Sequence, residues 1–331
     1  MRIGFVITRA SSLDVTWTTL ALVGAALDRG HSVRLIERTD FDVDPSGNLV
    51  ARSFAFEPPA LDIDTLVKKL RRRTATRRYV DVSTLDLILL RSAPLTTPLL
   101  TFAQLAQERG VPVVNDPSGL VKVTSKAWLA GLSDVPTPPT LVTRSAGAGA
   151  MFYKSQAHGV VVKPARGSGG RWVSFVPSGQ TRRFERAFEN ARRGGNHAVI
   201  QGYLQAAEIG EKRLLWLDGR ILGGYLRRRA PGEFRHNLKQ GATAEAAEVS
   251  DHERALLAPL TPHLVRAGVR FAGLDLIGDH LVEVNALNPG GTFHTDRLTG
   301  STHANTVITH LEQPRPQPGS PEDEAWAHPA P

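Results

Sequence analysis

The stretch FAGLDLIGDHLVEVN, Phe271–Asn285, decides the fold of this chain. Two short apolar runs flank a Gly-Asp pair, a pattern that predicts a β-hairpin. Because side chains alternate between the two faces of a strand, Glu283 and Asn285 project to the same face. If the loop comprises residues 278–280, Asp275 lies directly opposite Glu283. A two-residue loop would instead place these two carboxylates on opposite faces.

On the first register, Asp275, Glu283 and Asn285 form a set of three oxygen ligands on one face of a sheet. Such ligands suit magnesium, a hard cation that keeps several waters and commonly binds phosphate oxygens as well. The alternative is an ordinary hairpin with polar residues on its solvated side. The rest of the chain has to decide between these two interpretations.

The composition is that of a globular protein. The chain has 331 residues, 41% hydrophobic and 22% charged, which is enough for two or three domains with their own cores. Cysteine is absent, which excludes disulfides, thiolate metal sites and a cysteine nucleophile. The N-terminus lacks the order of charged, apolar and small residues that is typical of a signal peptide. No apolar stretch approaches the roughly 18 residues of a membrane span, so we expect a soluble, cytoplasmic protein with no membrane partner.

The formal net charge of +8 raises the question of a nucleic-acid partner. The densest basic run is KKLRRRTATRR, residues 68–78, and its only nearby aromatic residue is Tyr79. A nucleic-acid groove normally interleaves aromatic residues or groups its cations on a recognisable module. We therefore predict no nucleic-acid partner, since a basic balance also suits anionic small substrates such as ATP and carboxylates.

The first third of the chain alternates strands with helices, which predicts a doubly wound parallel α/β domain. The predicted elements are a strand at Arg2–Ile7, a helix capped by Ser12 or Asp14 and ended by Gly30, strands at Ser32–Glu37 and Leu85–Arg91, a helix near Leu99–Arg109, and a strand at Val111–Asn115. No GxGxxG follows the first strand, so a dinucleotide site there is not expected. Residues 42–80 are interpreted as a long connection with a basic helix.

The second half has an α+β pattern. VPTPPT at Val135–Thr140 marks a turn into a new unit; the expected elements after it are strands at Val160–Lys163 and His197–Gln201, a hairpin about Asp218, and a helix at Ser250–Ala267. The predicted division is an N-terminal domain (1–118), a central lid subdomain (119–200), a C-terminal catalytic subdomain (201–312) and a disordered Pro-rich tail (313–331).

A glycine-rich segment follows one of these strands. In VVVKPARGSGG the strand ends at Lys163 and continues into Gly167, Ser168, Gly169 and Gly170. Glycines let backbone N–H groups approach phosphates closely, and the lysine supplies charge. The lysine precedes the glycines, so this is no Walker motif. Alone the segment is more often a simple turn, but its order with the downstream acidic hairpin predicts a nucleotide site.

The chain resembles ATP-grasp carboxylate–amine ligases, closest to bacterial glutathione synthetase and also similar to ribosomal-protein glutamate ligases. The resemblance runs through LDLILLRSAP, VVNDPSGL, VVVKPARGSGG, VIQGYLQAAEIGEKRLLWLDG, GEFRHNL and FAGLDLIGDHLVEVN, in family order. It implies an ATP-grasp fold and ATP- and magnesium-dependent ligation through an acyl phosphate, with glutathione synthesis from γ-glutamylcysteine and glycine as the best interpretation. The alternatives are a ligase that adds an amino acid to a peptide or protein carboxylate, a non-catalytic ATP-binding module, and a kinase.

The resemblance also implies roles for individual residues. The nucleotide set comprises Lys126 and Lys163 at the phosphates, the Gly167–Gly170 loop over them, Gln201, Tyr203 and Leu204 at the adenine, and Glu211 at the ribose. Two magnesium ions, or manganese, would bind Asp275, Glu283 and Asn285. The residues expected to face the transferring phosphoryl group are Arg213, Arg235 and Asn237. Arg213 is alternatively a surface cation and Arg235 a salt-bridged loop residue.

Two segments on the acceptor side depart from glutathione synthetases. These are GEFRHNLKQGATAE and ALNPGGTFHTDRLTG. The loop Pro231–Thr243 is expected to be a mobile lid that keeps water from the acyl phosphate. We interpret His294–Arg297 as a polar loop, with substrate contact as the alternative. Relatives are commonly dimers or tetramers, so the resemblance implies a homo-oligomer.

Overall fold

The computed structural model describes residues 1–58, 62–167, 170 and 172–313, and the strands in these ranges form three sheets. The predicted tail from residue 314 onward lies outside the described residues. The N-terminal sheet has the strand order β4-β3-β2-β1-β5-β6. Its elements are β1 (Arg2–Ile7), α1 (Thr18–Asp28), β2 (Ser32–Val43), β3 (Leu49–Phe56), α2 (Ile63–Arg71), β4 (Arg77–Asp81), β5 (Leu87–Arg91), α3 (Thr97–Glu108), β6 (Val113–Val114), α4 (Pro117–Val123) and α5 (Lys126–Ala130).

The predicted doubly wound layer is confirmed for four strands, because β2, β1, β5 and β6 run parallel. Alternate residues of β1 enter different cores, as the strand period of two requires. Phe5 packs with Leu20 of α1 on one face, and Val6 packs with Leu99 of α3 on the other. Helices therefore cover both faces of this sheet.

The interpretation of residues 42–80 as a long connection was wrong. Strand β2 continues to Val43, and β3 and β4 extend the sheet in antiparallel fashion. Only Val80 is buried in β4, so this strand carries little hydrophobic signal. Charged, exposed side chains are usual on an edge strand, where they prevent pairing with other chains. The basic helix was predicted correctly and is α2, whose N-cap is Asp62.

The central sheet is antiparallel, with the order β7-β10-β8-β9. Its elements are β7 (Thr140–Thr143), α6 (Ala146–Ser155), β8 (Val160–Pro164), β9 (Ser174–Val176), α7 (Thr181–Ala191) and β10 (Ala198–Gly202). Val160 and Val162 pack against Phe184 and Phe188 of α7. Lys163 is one residue out of phase with these valines and therefore projects to the face of the sheet that the helices leave uncovered.

The C-terminal sheet is antiparallel, with the order β13-β12-β11-β14-β15. Its elements are β11 (Glu211–Leu217), β12 (Arg220–Arg228), β13 (Thr243–Ala246), α8 (Asp251–Leu257), α9 (Leu260–Arg266), β14 (Phe271–Ile277), β15 (His280–Asn285), α10 (Thr292–Thr299) and α11 (His303–Leu311). The single helix predicted at Ser250–Ala267 is two helices. Pro259, which has no N–H to donate and clashes with the preceding turn, separates them.

Two contacts fasten the N-terminal domain to the rest of the chain. The buried Asn115 side chain donates to the carbonyl oxygens of Phe271 and Ala286, at 2.7 Å each, and accepts from the N–H groups of Arg270 and Phe271. Helix α11 packs on α1, with Val307 buried in the same core as Leu20. No helix in the described part of the chain is long and apolar enough to cross a bilayer.

Candidate active site

The β14–β15 hairpin places Asp275 opposite Glu283, as predicted, but through different loop geometry. Ile277 pairs with His280, so the loop has two residues and the predicted three-residue loop was wrong. A β-bulge between the 275–283 and 276–281 pairs leaves Val282 as the extra residue. Because a bulge adds one residue to one strand, it offsets the change of face that the shorter loop would cause.

Four side chains lie in one row across the C-terminal sheet. Tyr225 of β12 pairs with Arg213 of β11, Arg213 pairs with Asp275 of β14, and Asp275 pairs with Glu283 of β15. Directly paired residues of an antiparallel sheet share a face, with Cβ atoms about 5 Å apart. The register of the sheet thus delivers a phenol, a guanidinium and two carboxylates to one surface.

Asp275 is the electrostatic centre of this row. The carboxylate is 2% exposed, accepts from Arg213 Nε and Nη2 (the latter at 2.9 Å), and pairs with Arg227. Asn285 Nδ2 donates to its Oδ2 at 3.0 Å. Burial acts to raise the pKa of Asp275, but the two arginines outweigh it and hold the pKa below its ordinary value. The buried position of Arg213 also excludes the alternative of a surface cation.

Two lysines lie near these carboxylates, Lys126 at the start of helix α5 and Lys163 on β8 of the central sheet. Lys126 Nζ lies 3.0 Å from Glu283 Oε1 and donates to the Gly167 carbonyl at 3.3 Å. Lys163 Nζ donates to Gln201 Oε1 at 3.0 Å. Burial lowers the pKa of Lys163 to about 8, against the opposing effect of the Glu283 charge. Both ammonium groups line the cavity, where they can donate hydrogen bonds to an anionic ligand.

Glu211 lies beside this cluster on β11 and forms an ion pair with Arg227. Burial raises its pKa to about 7, although Arg227 opposes the shift. A carboxyl group that titrates near neutrality can act as a hydrogen-bond donor or acceptor. Because a carboxylate also accepts hydrogen bonds from hydroxyl groups in its ionised form, either state of Glu211 is compatible with the expected ribose contact.

The glycine-rich loop and the expected lid meet above these groups. Ser168 and Gly169 lie outside the described residues, whereas Gly167 and Gly170 both have positive φ, +149° and +71°. Arg235 Nη1 donates to the Gly170 carbonyl at 3.3 Å, and its Nε and Nη2 donate to Glu233. The alternative of a salt-bridged loop residue therefore stays open for Arg235. Asn237 Oδ1 accepts from the Lys239 N–H at 3.0 Å.

These side chains border one cavity of about 950 Å³ between the three sheets. Every predicted site residue that the structure describes lines it, namely Lys126, Lys163, Gly167, Gly170, Gln201, Tyr203, Leu204, Glu211, Arg213, Arg235, Asn237, Asp275, Glu283 and Asn285. Elements more than 150 residues apart in the chain therefore contribute to a single site. The volume is at the upper end of the range for small-molecule sites.

Sequence reasoning missed several residues that line this cavity. Val161, Phe234, Ile277 and Val282 form an apolar part together with the predicted Leu204. The strand period could have identified Val161, which is two residues from Lys163. The N-terminal domain adds Arg9, Trp17, Thr18, Thr19 and Arg91. Arg91 lies within LDLILLRSAP, a segment that carries the resemblance, but no role was assigned to it, and the other four had no motif to mark them. The polar loop predicted at His294–Arg297 is wrong, because these residues lie in α10, and only His294 of the four lines the cavity.

The candidate metal ligands are two carboxylates and an amide. No group of three or more His, Cys, Asp or Glu side chains in the described ranges could hold a metal ion alone. A magnesium ion at Asp275, Glu283 and Asn285 would have to complete its coordination with phosphate oxygens and water, which is its usual mode of binding. The set therefore fits a metal that arrives with a nucleotide.

Comparison with known proteins matches most of the chain to one family. Residues 1–120 match the profile described as the N-terminal domain of prokaryotic glutathione synthetase, and residues 126–300 match its ATP-grasp domain. The glutathione synthetase of Synechococcus elongatus is 30% identical over 322 residues, which cover 94% of this chain and 98% of that protein. That of Pseudomonas syringae pv. tomato is 32% identical over 304 residues, covering 89% and 92%.

Solved structures support the fold. A D-cycloserine synthetase superposes with a TM-score of 0.67 at 18% identity, covering 94% of this chain and 98% of that one. A RimK-domain ATP-grasp protein from Sphaerobacter thermophilus gives 0.61 at 19% identity, covering 94% and 99%. Identity this low shows a shared ATP-grasp architecture and nothing about substrates. Both domain profiles of the family match this chain, and the relatives are of nearly equal length. The chain therefore belongs to the prokaryotic glutathione synthetase family of ATP-grasp ligases.

Proposed function

We propose that this ATP-dependent ligase joins γ-glutamylcysteine to glycine and releases ADP and phosphate. The observation that carries the proposal is the convergence of both lysines, Arg213 and the Asp275–Glu283 pair on one cavity. The names of the relatives supply the choice of substrates. The conversion of a carboxylate and an amine into an amide is unfavourable in water, so the reaction needs an activated intermediate.

The activation step transfers the γ-phosphoryl group to the acid. A carboxylate oxygen attacks the γ-phosphorus, the bond to the β-phosphate oxygen breaks, and an acyl phosphate and ADP result. The amine then attacks the acyl carbon, phosphate leaves, and a proton is lost from the nitrogen. Such transfers depend on positioning and on neutralisation of charge more than on covalent help from the protein.

Different parts of the cavity serve different parts of this reaction. Lys126 and Lys163 offer ammonium groups to the phosphates, and the apolar part around Val161 and Leu204 suits the adenine. Arg213, held by Asp275, presents a guanidinium toward the transferring group. When bound at Asp275, Glu283 and Asn285, two magnesium ions would offset the phosphate charge and align the reacting oxygens.

The segment 231–243 shields the acyl phosphate from water in this proposal. Arg235 already contacts the Gly170 carbonyl, and Lys239 Nζ lies 5.2 Å from the centre of the Trp17 ring in the N-terminal domain. These contacts link the segment to both walls of the cavity. A lid that opens for substrates and closes for chemistry would use such weak, reversible links.

The test is ADP and phosphate release with γ-glutamylcysteine alone, glycine alone, and both together. Turnover that requires both substrates, with glutathione as product, supports the proposal. Phosphorylated product without the amine would favour a kinase. ATP binding without turnover on any acid–amine pair would favour a binding module, and turnover only with a peptide or protein acid would favour the other ligase. Lys163→Met serves as the variant with an impaired ATP response, and exposed Lys154→Met on α6 as its matched control.

A further inference from the structure

A buried arginine at the N-terminal side of the cavity forms no ion pair with a described residue. Four arginines are buried in the described part of the chain: Arg91, Arg213, Arg227 and Arg270. The last three pair with Asp275, Glu211 or Asp218. Arg91, at the end of β5, is 5% exposed and lines the cavity. Its Nε donates to Thr19 Oγ1 at 3.2 Å, while Nη1 is buried without a hydrogen-bond partner among the described residues.

An unpaired guanidinium in this position is energetically unfavourable. Buried charges in proteins are normally paired or hydrogen-bonded, because their removal from water is otherwise uncompensated. Burial lowers the pKa of Arg91 to about 9. A group kept charged, buried and adjacent to a substrate cavity is suited to bind an anion supplied by the ligand.

The surroundings of Arg91 include the first turn of helix α1. Thr19 accepts from Arg91, and Thr18 Oγ1 accepts from the Gly291 N–H at 2.9 Å. No side chain among the described residues caps this helix, so its first N–H groups add positive potential beside the guanidinium. The same two threonines connect Arg91 to the turn before α10.

That turn contributes a second unsatisfied group. Asn288 lines the cavity, and its Oδ1 is buried without a partner in the described ranges. Asn288 lies three residues before Gly291, which bonds to Thr18. The region around α1 therefore offers an unused donor on Arg91 and an unused acceptor on Asn288. An α-amino acid head needs both, because its carboxylate requires a hydrogen-bond donor and its ammonium an acceptor.

We propose that Arg91 binds the unreactive carboxylate of the amino-acid head of the acid substrate, and that Asn288 Oδ1 accepts from the ammonium of the same head. This proposal rests on the proposed function. The acid substrate fits better than the amine, because both charged groups of the γ-glutamyl head take no part in the reaction. Glycine must instead present its amino group to the acyl phosphate.

The experiment compares wild type, Arg91→Met, Arg91→Lys and the exposed control Arg78→Met on three acids. These acids are γ-glutamylcysteine, 4-aminobutanoylcysteine, which lacks the α-carboxylate, and glutarylcysteine, which lacks the ammonium. In Arg91→Met the substrate carboxylate loses its buried partner, so the KM for γ-glutamylcysteine should rise about 30-fold or more. The KM values for ATP and glycine should be little changed. With 4-aminobutanoylcysteine, wild type and Arg91→Met should behave alike.

The thermal midpoint distinguishes this binding role from a structural one. Replacement of an unpaired buried charge by an apolar side chain should leave the midpoint unchanged or raise it. Arg91→Lys, which keeps a charge, carries the kinetic comparison if Arg91→Met does not fold. An unchanged KM, a higher KM for glycine instead, or an equal loss on all three acids would overturn the inference while the ligase activity stands. Wild type that binds ATP but does not turn over γ-glutamylcysteine with glycine would overturn the proposed function, and this inference with it.

Discussion

Arg213 and Asp275 lie directly opposite each other on β11 and β14, and the guanidinium donates two hydrogen bonds to the carboxylate. Arg227 joins the same carboxylate from β12. Asp275 is therefore both a candidate metal ligand and the group that orients two buried arginines. Glu283 is a candidate metal ligand without such an orienting role, since it forms an ion pair with Lys126 alone among the described residues and its side chain is 36% exposed.

Asp275→Ala should lower the free energy of unfolding much more than Glu283→Ala does. Both are expected to abolish turnover. The Asp275 change leaves buried Arg213 without its carboxylate partner and Arg227 with Glu211 alone; breaking a buried pair in this way typically costs about 3–5 kcal/mol. Glu283→Ala should cost much less. Urea unfolding and phosphate release measure the two effects, with exposed Asp279→Ala at the hairpin tip as control. Equal unfolding midpoints for the two variants would refute the orienting role.

Lys163→Met should weaken the response to ATP. A hydrogen bond to a charged group contributes about 1.5–3 kcal/mol, so the KM for ATP should rise roughly tenfold to a hundredfold. The methionine keeps an apolar stem at a buried position of β8, so the fold should persist. Initial rates against ATP concentration give the result, with Lys154→Met as the exposed control. An ATP response like that of wild type would remove Lys163 from the phosphate site.

Asn115→Leu should destabilise the whole chain. The side chain satisfies four backbone groups at the ends of β14 and after β15, and each buried group left unsatisfied costs about 1–3 kcal/mol. A loss of about 3 kcal/mol or more in the free energy of unfolding is expected, and denaturant titration measures it. Asn305→Ala on the exposed side of α11 is the control. If the leucine variant unfolds like this control, Asn115 does not hold the domains together.

Glu312→Gln should lower the thermal midpoint in a pH-dependent way. Its carboxylate pairs with Arg29 and His31 at the end of α11, and the hydrogen bond from Arg29 lowers its pKa to about 2 from 4.5. Because the pKa is lower in the folded state than in the unfolded state, the ionised carboxylate stabilises the fold at pH values above about 4.5. This stabilisation is lost as the pH falls from about 4.5 toward 2. The midpoint difference from wild type should be present at pH 7 and shrink in acid. Exposed Glu185→Gln should show no such trend, and a difference independent of pH would contradict the ion-pair account.

Local patterns determined much of this protein. Apolar runs and turn residues identified β1, α1 and the β14–β15 hairpin, because the periods of strands and helices are set by neighbouring residues. The predicted caps of α1, Ser12 or Asp14, were wrong, since the helix begins at Thr18. The pairing of Asp275 with Glu283 was also predicted, although the loop was not. A bulge depends on how the whole sheet closes, so the extra residue Val282 could not be recognised from the hairpin alone. Strand β4 was missed since an edge strand buries little.

Sequence alone determined the chemical inventory: lysine before a glycine loop, two carboxylates and an amide on a hairpin, and arginines between them. Only the tertiary structure decided that Arg91 and Thr19, to which the sequence assigned no role, border the same cavity as Asp275. The physical reason is the distance along the chain over which each effect acts. Periodicity and turn preferences act over a few residues, whereas the charge balance of a buried site is set by side chains that meet only after three separate sheets have packed together.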